Sequence, residues 1–376
     1  MFLHSLSVIN FKNYSSAEVI LHPSVNAFVG NNGEGKTNLL DAIYFLSLCK
    51  SYFNATDSAA IRHGEEFFVL QGVFHFDDRK EAISCGIKKG QRKVFKRNQR
   101  EYEKLSDHIG LIPLVMVSPT DIGLITDGSE ERRKFMDGIL SQLDHAYLDE
   151  LIHYNKVLMQ RNAYLKQAAM HRNFDALTLQ IWDDQLILSG EKVYQKRAQF
   201  INAFIPVFEY FYGLIVDKKE RVSIGYSSQL NDTSFSLLLE QSLSKDRIVQ
   251  YTTHGPHKDD LTFLIGDHSV KKYASQGQQK SFLIALKLAQ FEFFRKEKGL
   301  KPILLLDDIF DKLDDTRVAR LMEMVSNDNF GQIFITDTHP ERIQRIFDEI
   351  GVEIKCFPVE NGEVRLTEDQ RMNVEE

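Results

Sequence analysis

The spacing of hydrophobic positions changes along the chain, and each change predicts a different kind of element. From Met1 to Phe11 apolar and polar residues alternate loosely, the two-residue period of a half-buried strand. Ser24 to Val29 is a short apolar run leading into glycine, and Phe67 to Phe76 and Ala82 to Ile87 are β-rich runs broken by charged turns. Between them Leu39, Leu40, Ile43, Tyr44 and Leu46 fall at helical spacing and predict one strong helix over Thr37–Cys49. Later, Met136, Leu140, Leu143, Tyr147, Leu151, Tyr154, Leu158 and Leu165 recur in steps of three, four and seven. They predict an amphipathic helix with Ser129 as its N-cap, Glu130 and Glu131 in its first turn, and an interruption at Arg161.

A second helical stretch over about Leu179–Tyr212 follows the polar segment His171–Asp175, so the two form a short antiparallel arm. Its apolar seam does not persist for enough heptads to make a long coiled coil. Strands resume at Val222–Tyr226 and around Leu261–Ile265, and a helix follows over Gln278–Phe294. The runs Pro302–Leu306 and Gln332–Thr336 are short, continuous and apolar, the pattern of central strands buried on both faces.

With 376 residues the chain exceeds what one hydrophobic core usually organises, so two domains, or one with a large insertion, are expected. No stretch reaches the ~20 uninterrupted apolar residues of a membrane span. The first residues lack the basic-then-apolar pattern of an export signal. Cys49, Cys85 and Cys356 are odd in number and far apart, which suits a reducing compartment and buried apolar roles. The expectation is a soluble, cytoplasmic chain without a membrane segment. Its formal net charge of -7 does not advertise nucleic-acid binding. Charge is nevertheless segregated: Lys88, Lys89, Arg92, Lys93, Lys96, Arg97 and Arg100 follow one another with no acid among them. That segment reads either as a solvated hairpin turning at Gly90 or as a phosphate-contacting patch.

The strongest chemical signal is Gly30-Asn31-Asn32-Gly33-Glu34-Gly35-Lys36-Thr37, a full P-loop pattern between a strand and a helix. Gly30, Gly35 and Gly33 let the backbone wrap so closely that its N–H groups point at phosphate oxygens, and the helix N-terminus adds a favourable dipole. Lys36 can bridge β- and γ-phosphates, and the Thr37 hydroxyl can ligate Mg²⁺. This predicts ATP binding, with Asn31, Asn32, Glu34 and Asn38 alongside.

A P-loop needs an acidic partner, and Ile303-Leu304-Leu305-Leu306-Asp307-Asp308 supplies one at the tip of an apolar strand. Burying such a tip is costly unless a cation sits there, which assigns Asp307 to Mg²⁺. Asp308 then stands ready as general base or orienting group for the attacking water. A third segment, Ser275-Gln276-Gly277-Gln278-Gln279, precedes a long helix and is similar to the signature sequence of ABC-type ATPases. Alone it reads as a polar N-cap.

Taken together, these segments resemble the RecF family, recombination mediators within the SMC-like branch of ABC-type ATPases. The resemblance extends over nearly the whole chain. It includes Ile9-Asn10-Phe11-Lys12-Asn13-Tyr14, Ser118-Pro119-Thr120-Asp121, Gly128-Ser129 with Arg132 and Arg133, Gln160-Arg161-Asn162, Gly255-Pro256-His257, and Asp311 with Leu313 and Asp314.

The resemblance implies an α/β fold, an ABC-type P-loop ATPase head with a second lobe carrying a short antiparallel helical arm. Residues 1–118 and 299–376 would form the ATPase lobe, and 119–298 the second lobe, with the arm at about 129–212. Ser275, Gln276, Gly277 and Gln278 would contact nucleotide across an ATP-dependent homodimer, and Asp311, Leu313 and Asp314 would couple the two sites. Ser118 stands where ABC proteins carry a Mg²⁺-sensing glutamine, and His339 lies near the place of their switch histidine. Implied partners are duplex and gapped DNA, RecR and RecO, with promotion of RecA loading and a weak, DNA-stimulated ATPase acting as a binding switch. Asp308 in place of the commoner glutamate fits slow hydrolysis.

Rival readings are a transporter ATPase subunit, which would keep the glutamine and the switch histidine, an SMC-like tether, which would need a far longer coiled coil, and a P-loop kinase, which has no use for Ser275–Gln279. His254 and His257 with Asp259 and Asp260 read as a structural or interlobe turn rather than a metal cluster. Gln160-Arg161-Asn162 reads as a polar surface patch or, more sharply, an interlobe or DNA contact. Trp182 and Phe204–Phe211 read as core.

Overall fold

A computed structural model describes residues 1–216, 220–309 and 330–365. The chain divides into two compact units, Met1–Asp121 with Ile284–Glu376 and Ile122–Leu283.

The first unit is built on two sheets. One is antiparallel, in the order β2-β1-β4-β5-β6-β7, from β1 (Phe2–Phe11), β2 (Tyr14–Ile20), β4 (Phe67–His75), β5 (Lys80–Lys88), β6 (Val94–Arg97) and β7 (Arg100–Glu101). The other runs β15-β14-β3-β13-β12-β8, from β3 (Val25–Val29), β8 (Leu114–Val117), β12 (Ile303–Asp307), β13 (Ile333–Asp337), β14 (Ile354–Glu360) and β15 (Glu363–Val364). All neighbours in it are parallel except the β14–β15 hairpin. Every residue of β3, β8, β12 and β13 is buried, as their mainly apolar sequences require, and the burial takes in Asn26 of β3 and the polar ends Asp307, Thr336 and Asp337.

Helix α1 (Lys36–Leu48) contacts β1, β4 and β5 of the first sheet and β8, β12 and β13 of the second. Packed on both sides, it buries Leu39, Leu40, Ala42, Ile43, Phe45 and Leu46 around its circumference rather than along one stripe. Strand β13 lies between β3, which feeds the glycine-rich loop, and β12, which ends in the acids, so both tips leave one end of a parallel sheet. That end of a parallel sheet, where the strand order reverses, is where such folds bind ligands.

The second unit holds α2 (Gly123–Thr126), α3 (Ser129–Leu143), α4 (His145–His171), α5 (Ala176–Ile215), α6 (Phe235–Val249), α7 (Val270–Tyr273) and the start of α8 (Gln276–Lys298). A small antiparallel sheet orders β11-β10-β9, from β9 (Val222–Ser227), β10 (Asp260–Ile265) and β11 (His268–Ser269). The arm is the antiparallel pair α4 and α5. Three details depart from the periodicity. Gly128, not Ser129, occupies the N-cap, and Ser129 is the first helical residue. The helix expected to continue past Leu143 breaks at Asp144, whose carboxylate accepts from the Tyr147 N–H and caps a new helix. There is no interruption at Arg161: it lies within α4 on the buried seam with Tyr154, Val157 and Leu165.

Arg161 is fully buried and donates to Asp183 (2.6 Å), Asp246 (2.8 Å) and Thr252 (2.8 Å), while the Asn162 side chain accepts from the Thr252 N–H and hydroxyl. It is therefore neither a surface patch nor a DNA contact; charges remote in sequence turn a polar interruption into a core residue. Phe204 and Phe208 are fully buried as expected, but Trp182 is partly exposed and Tyr210 mostly so.

Candidate functional site

The loop from β3 to α1 has the backbone its glycines predict. Gly30, Gly33 and Gly35 take φ of 155°, 87° and 113°. A Cβ on Gly30 would stand 2.2 Å from the Val359 carbonyl oxygen, so the close approach of β14 admits only glycine there. Nothing lies within 4 Å of the position a Cβ on Gly33 would take, so the loop presents bare backbone to open space.

A cleft of about 160 Å³ is lined by Asn32, Gly33, Gly35, Lys36, Thr37, Asn38, Asp308 and Thr336. Lys36 curls back over the loop, its Nζ donating to the carbonyls of Gly30 (2.6 Å) and Asn31 (2.8 Å). Burial lowers the Lys36 ammonium from its usual value, and the carboxylates of Asp308, Asp337 and Asp307 act against that shift.

Residues remote in sequence meet at Asp307. Its carboxylate accepts from Thr37 Oγ1 (2.7 Å), Thr336 Oγ1 (2.9 Å) and Ser118 Oγ (3.4 Å). Burial pushes its carboxyl above the usual range, and these hydroxyls pull the other way. A divalent cation suits this set: one hydroxyl and one carboxylate, already a hydrogen bond apart, leave the remaining positions to phosphate and water, as Mg²⁺ prefers. Asp308 holds a left-handed φ of 49° and anchors its N–H on Thr336 Oγ1 (2.9 Å). A non-glycine residue in that region is strained, and the strain re-aims the carboxylate beside the cleft.

The remaining expected residues divide. Ser118 reaches Asp307 as described, and its N–H donates to Asp121, which also binds Lys287 on α8 (2.9 Å). His339 caps the helix Pro340–Glu349, mostly exposed, with its ring on Thr338 Oγ1 (2.8 Å). In the second unit, Ser275 and Gln278 form a reciprocal capping box, Ser275 N–H to Gln278 Oε1 (2.9 Å) and Gln278 N–H to Ser275 Oγ (3.2 Å). Ser275 and Gln276 are exposed at the start of α8, and Gly277 is partly so. The expected coupling residues Asp311, Leu313 and Asp314 lie outside the described residues.

His257 is bonded at both ring nitrogens, to Tyr154 Oη (2.6 Å) and the Thr252 carbonyl (3.0 Å), and so serves the turn. The basic run is a hairpin turning at Gly90 and again at Asn98-Gln99, but its charges are unequal. Arg97 is clamped by Glu81, Lys93 by Asp57 and the Cys49 carbonyl, and Lys89 by Glu66, while Arg92 donates to the Glu103 carbonyl. Among the described residues, the side chains of Lys88, Lys96 and Arg100 meet no ion-pair or hydrogen-bond partner.

Residues 2–362 match the family described as RecF/RecN/SMC N terminal domain. The DNA replication and repair protein RecF of Flavobacterium johnsoniae is 53% identical over 357 residues, covering 95% of this chain and 99% of that protein. The chain belongs to the RecF family. Its RecF counterpart in Phocaeicola vulgatus is 50% identical over 366 residues, covering 97% of this chain and 98% of that one. A solved structure of the recombination mediator protein RecF-ATP in the RecFOR pathway aligns with a TM-score of 0.88 at 29% identity, over 97% of this chain and 98% of that chain. A second, of RecF-ATPrS, aligns at 0.87 and 30% identity, over 96% and 97%. An Smc head domain from Pyrococcus furiosus, 16% identical, aligns at 0.56 over 99% of this chain and 98% of that one, a likeness of fold. The architecture is thus the α/β head of an ABC-type ATPase.

Sequence reasoning missed what supports the site. Asn13, Tyr14 and Gly362 all touch the P-loop, and only the segment Ile9–Tyr14 carried a signal, as part of the family pattern.

Proposed function

We propose that this chain is an ATP-dependent DNA-binding protein of recombinational repair and replication-fork maintenance. ATP joins two copies face to face, each P-loop opposite the partner's Ser275–Gln278 segment, and the closed homodimer holds duplex DNA at gap junctions. With RecR and RecO it promotes RecA loading, in the cytoplasm. The observation that carries this reading is the Thr37–Asp307 hydrogen bond, which joins the loop to the acidic strand tip in a family whose relatives are named for DNA replication and repair. No helix among the described residues is long and apolar enough to cross a membrane.

In this reading Lys36 exchanges two loop carbonyls for phosphate oxygens, a charge-assisted gain. Thr37 and Asp307 hold Mg²⁺. Asp308, aimed by its strained backbone, orients the attacking water, and Gly30, Asn31, Asn32, Gly33, Glu34, Gly35 and Asn38 shape the anion cradle. Bound MgATP supplies the anhydride whose cleavage opens the clamp. Ser275 has a hydroxyl and an exposed helix N-terminus to offer a partner's γ-phosphate. Lys88, Lys96 and Arg100 are the remaining DNA candidates.

The test is light scattering and duplex binding with ATP and Mg²⁺. Wild-type chains should dimerise and bind DNA, while Lys36→Met and Ser275→Arg should stay monomeric and bind about tenfold or more weakly, an effect of roughly 1.4 kcal/mol. Normal dimerisation and DNA binding by both variants would sink the reading.

A further inference from the structure

Three consecutive residues where β1 turns into β2 hold the nucleotide loop and the helix that follows it. Lys12 pairs with the buried Asp41 of α1 (2.7 Å). Asn13 Nδ2 donates to the Glu34 carbonyl (2.8 Å), while its Oδ1 accepts from Asn38 Nδ2 (2.7 Å). Tyr14, fully buried, donates its hydroxyl to the Gly35 carbonyl (3.1 Å). From the other end of the chain, the β14–β15 turn adds a second donor to the same Glu34 carbonyl, the Gly362 N–H at 3.1 Å, and the Asn361 N–H binds the Glu34 carboxylate.

The consequence follows from peptide geometry. In a planar trans peptide the C=O and the following N–H point in opposite directions. Two donors on the Glu34 oxygen therefore fix the direction of the Gly35 N–H, and Tyr14, together with the Asn38 N–H of α1 (2.9 Å), does the same at the Gly35 oxygen for the Lys36 N–H. Those are the groups a P-loop aims at phosphate. The turn is built for close contact: Lys12 holds a left-handed φ of 53°. A Cβ on Gly35 would meet Asn13 Nδ2 at 2.5 Å, and one on Gly362, at φ 75°, would meet the Asn13 carbonyl oxygen at 2.7 Å. Strain of this kind persists where surrounding structure over-determines it.

We infer that Asn13 and Tyr14 are positioning residues for nucleotide, and that the turns at Asn13 and Gly362 act as one clasp on the Glu34 carbonyl. The inference rests on the ATP-binding reading and deepens it. The clasp preorganises the loop, so releasing it weakens capture of phosphate without altering the groups that act on it.

The experiment measures MgATP affinity and steady-state hydrolysis for wild type, Asn13→Ala, Gly362→Ala, the double variant and Tyr14→Phe, which keeps the buried ring. Each clasp variant should raise Kd and KM about tenfold, ~1.4 kcal/mol, with kcat within about twofold: Asn13→Ala removes the amide that donates to Glu34, and the Cβ of Gly362→Ala, meeting the Asn13 carbonyl oxygen, pushes its N–H off that carbonyl. The double variant should fall near the worse single, since both act on one carbonyl. Tyr14→Phe should raise Kd severalfold. Unchanged affinity in Asn13→Ala, Gly362→Ala and Tyr14→Phe, with wild type binding ATP, overturns the inference alone. Fully additive losses of about a hundredfold overturn the shared clasp. Failure of wild type to bind ATP overturns the ATP reading and this inference with it.

Discussion

One site in each of the two units buries charge in its own way. In the second, Arg197 is almost fully buried and meets Asp137 through a two-pronged contact (3.0 and 3.0 Å), Asp259 (3.0 Å), the Pro256 carbonyl and the Tyr147 hydroxyl. Burial alone would weaken its hold on the proton, but Asp137 leads the groups that more than offset this, and the guanidinium stays charged. Arg161, nearby in chain order, is likewise matched by two aspartates. At the nucleotide loop of the first unit, Lys36 rests on carbonyls and Asp307 on hydroxyls, so each charge takes its hydrogen bonds from neutral dipoles and feels opposite charge only across the site. A charge matched by opposite charge is committed to the fold. One held only by dipoles retains attraction for a ligand of opposite sign, which is what a nucleotide site requires.

That contrast is most exposed to a cut in the second unit. Arg197→Met strips Asp137 and Asp259 of the guanidinium they share and should destabilise the chain by about 3–5 kcal/mol, read from denaturant midpoints. A change under about 1 kcal/mol would mean the network is dispensable and the contrast false.

Acid comes next and tests a feature common to both units. His108 is fully buried, its Nε2–H on the Leu46 carbonyl and its Nδ1 accepting from the Tyr102 hydroxyl, and His257 repeats the arrangement with Thr252 and Tyr154. Burial lowers each from 6.5 to about 4. The unfolded chain takes up these protons first, so stability is fully present above pH 6.5 and lost as pH falls towards 4. For His108 the loss is up to about 1.4 kcal/mol per pH unit over that window, roughly 3 kcal/mol in all. An unfolding midpoint that is flat across that range would contradict the neutral, doubly bonded imidazoles.

The smallest expected change in stability is at Asp307. Asp307→Asn removes a buried carboxylate whose hydrogen bonds come from hydroxyls alone, so the nucleotide-free chain should keep its stability or gain up to about 1 kcal/mol. The same protein should lose the strengthening of ATP binding by Mg²⁺. In wild type that strengthening should grow as pH rises through the raised Asp307 value, because the cation needs the deprotonated carboxylate. A destabilisation comparable to that of Arg197→Met would place Asp307 with the structural charges instead.

Much of the first unit was legible because its signals are local. The buried parallel strands are short, mainly apolar runs, and the P-loop is eight adjacent residues whose glycines mark the turn. The Asp307 strand announces itself by ending four aliphatics in acid. The second unit was legible only in outline. Its arm follows from apolar steps of three and four, but the break at Asp144 depended on a carboxylate capping the next helix. Arg161 looked like an interruption because periodicity counts it as polar, whatever it meets.

By itself, then, the sequence determined that a phosphate loop, an acidic strand tip and a signature-like helix start are present, since each is a short pattern with its own chemistry. Tertiary structure alone decided what those pieces touch. Thr37 reaches Asp307 across 270 positions, Glu34 and Gly362 meet from opposite ends of the chain, and Arg97, half-buried, commits its charge to Glu81. Backbone direction, burial and charge pairing at those points are products of long-range packing, which no local spacing encodes.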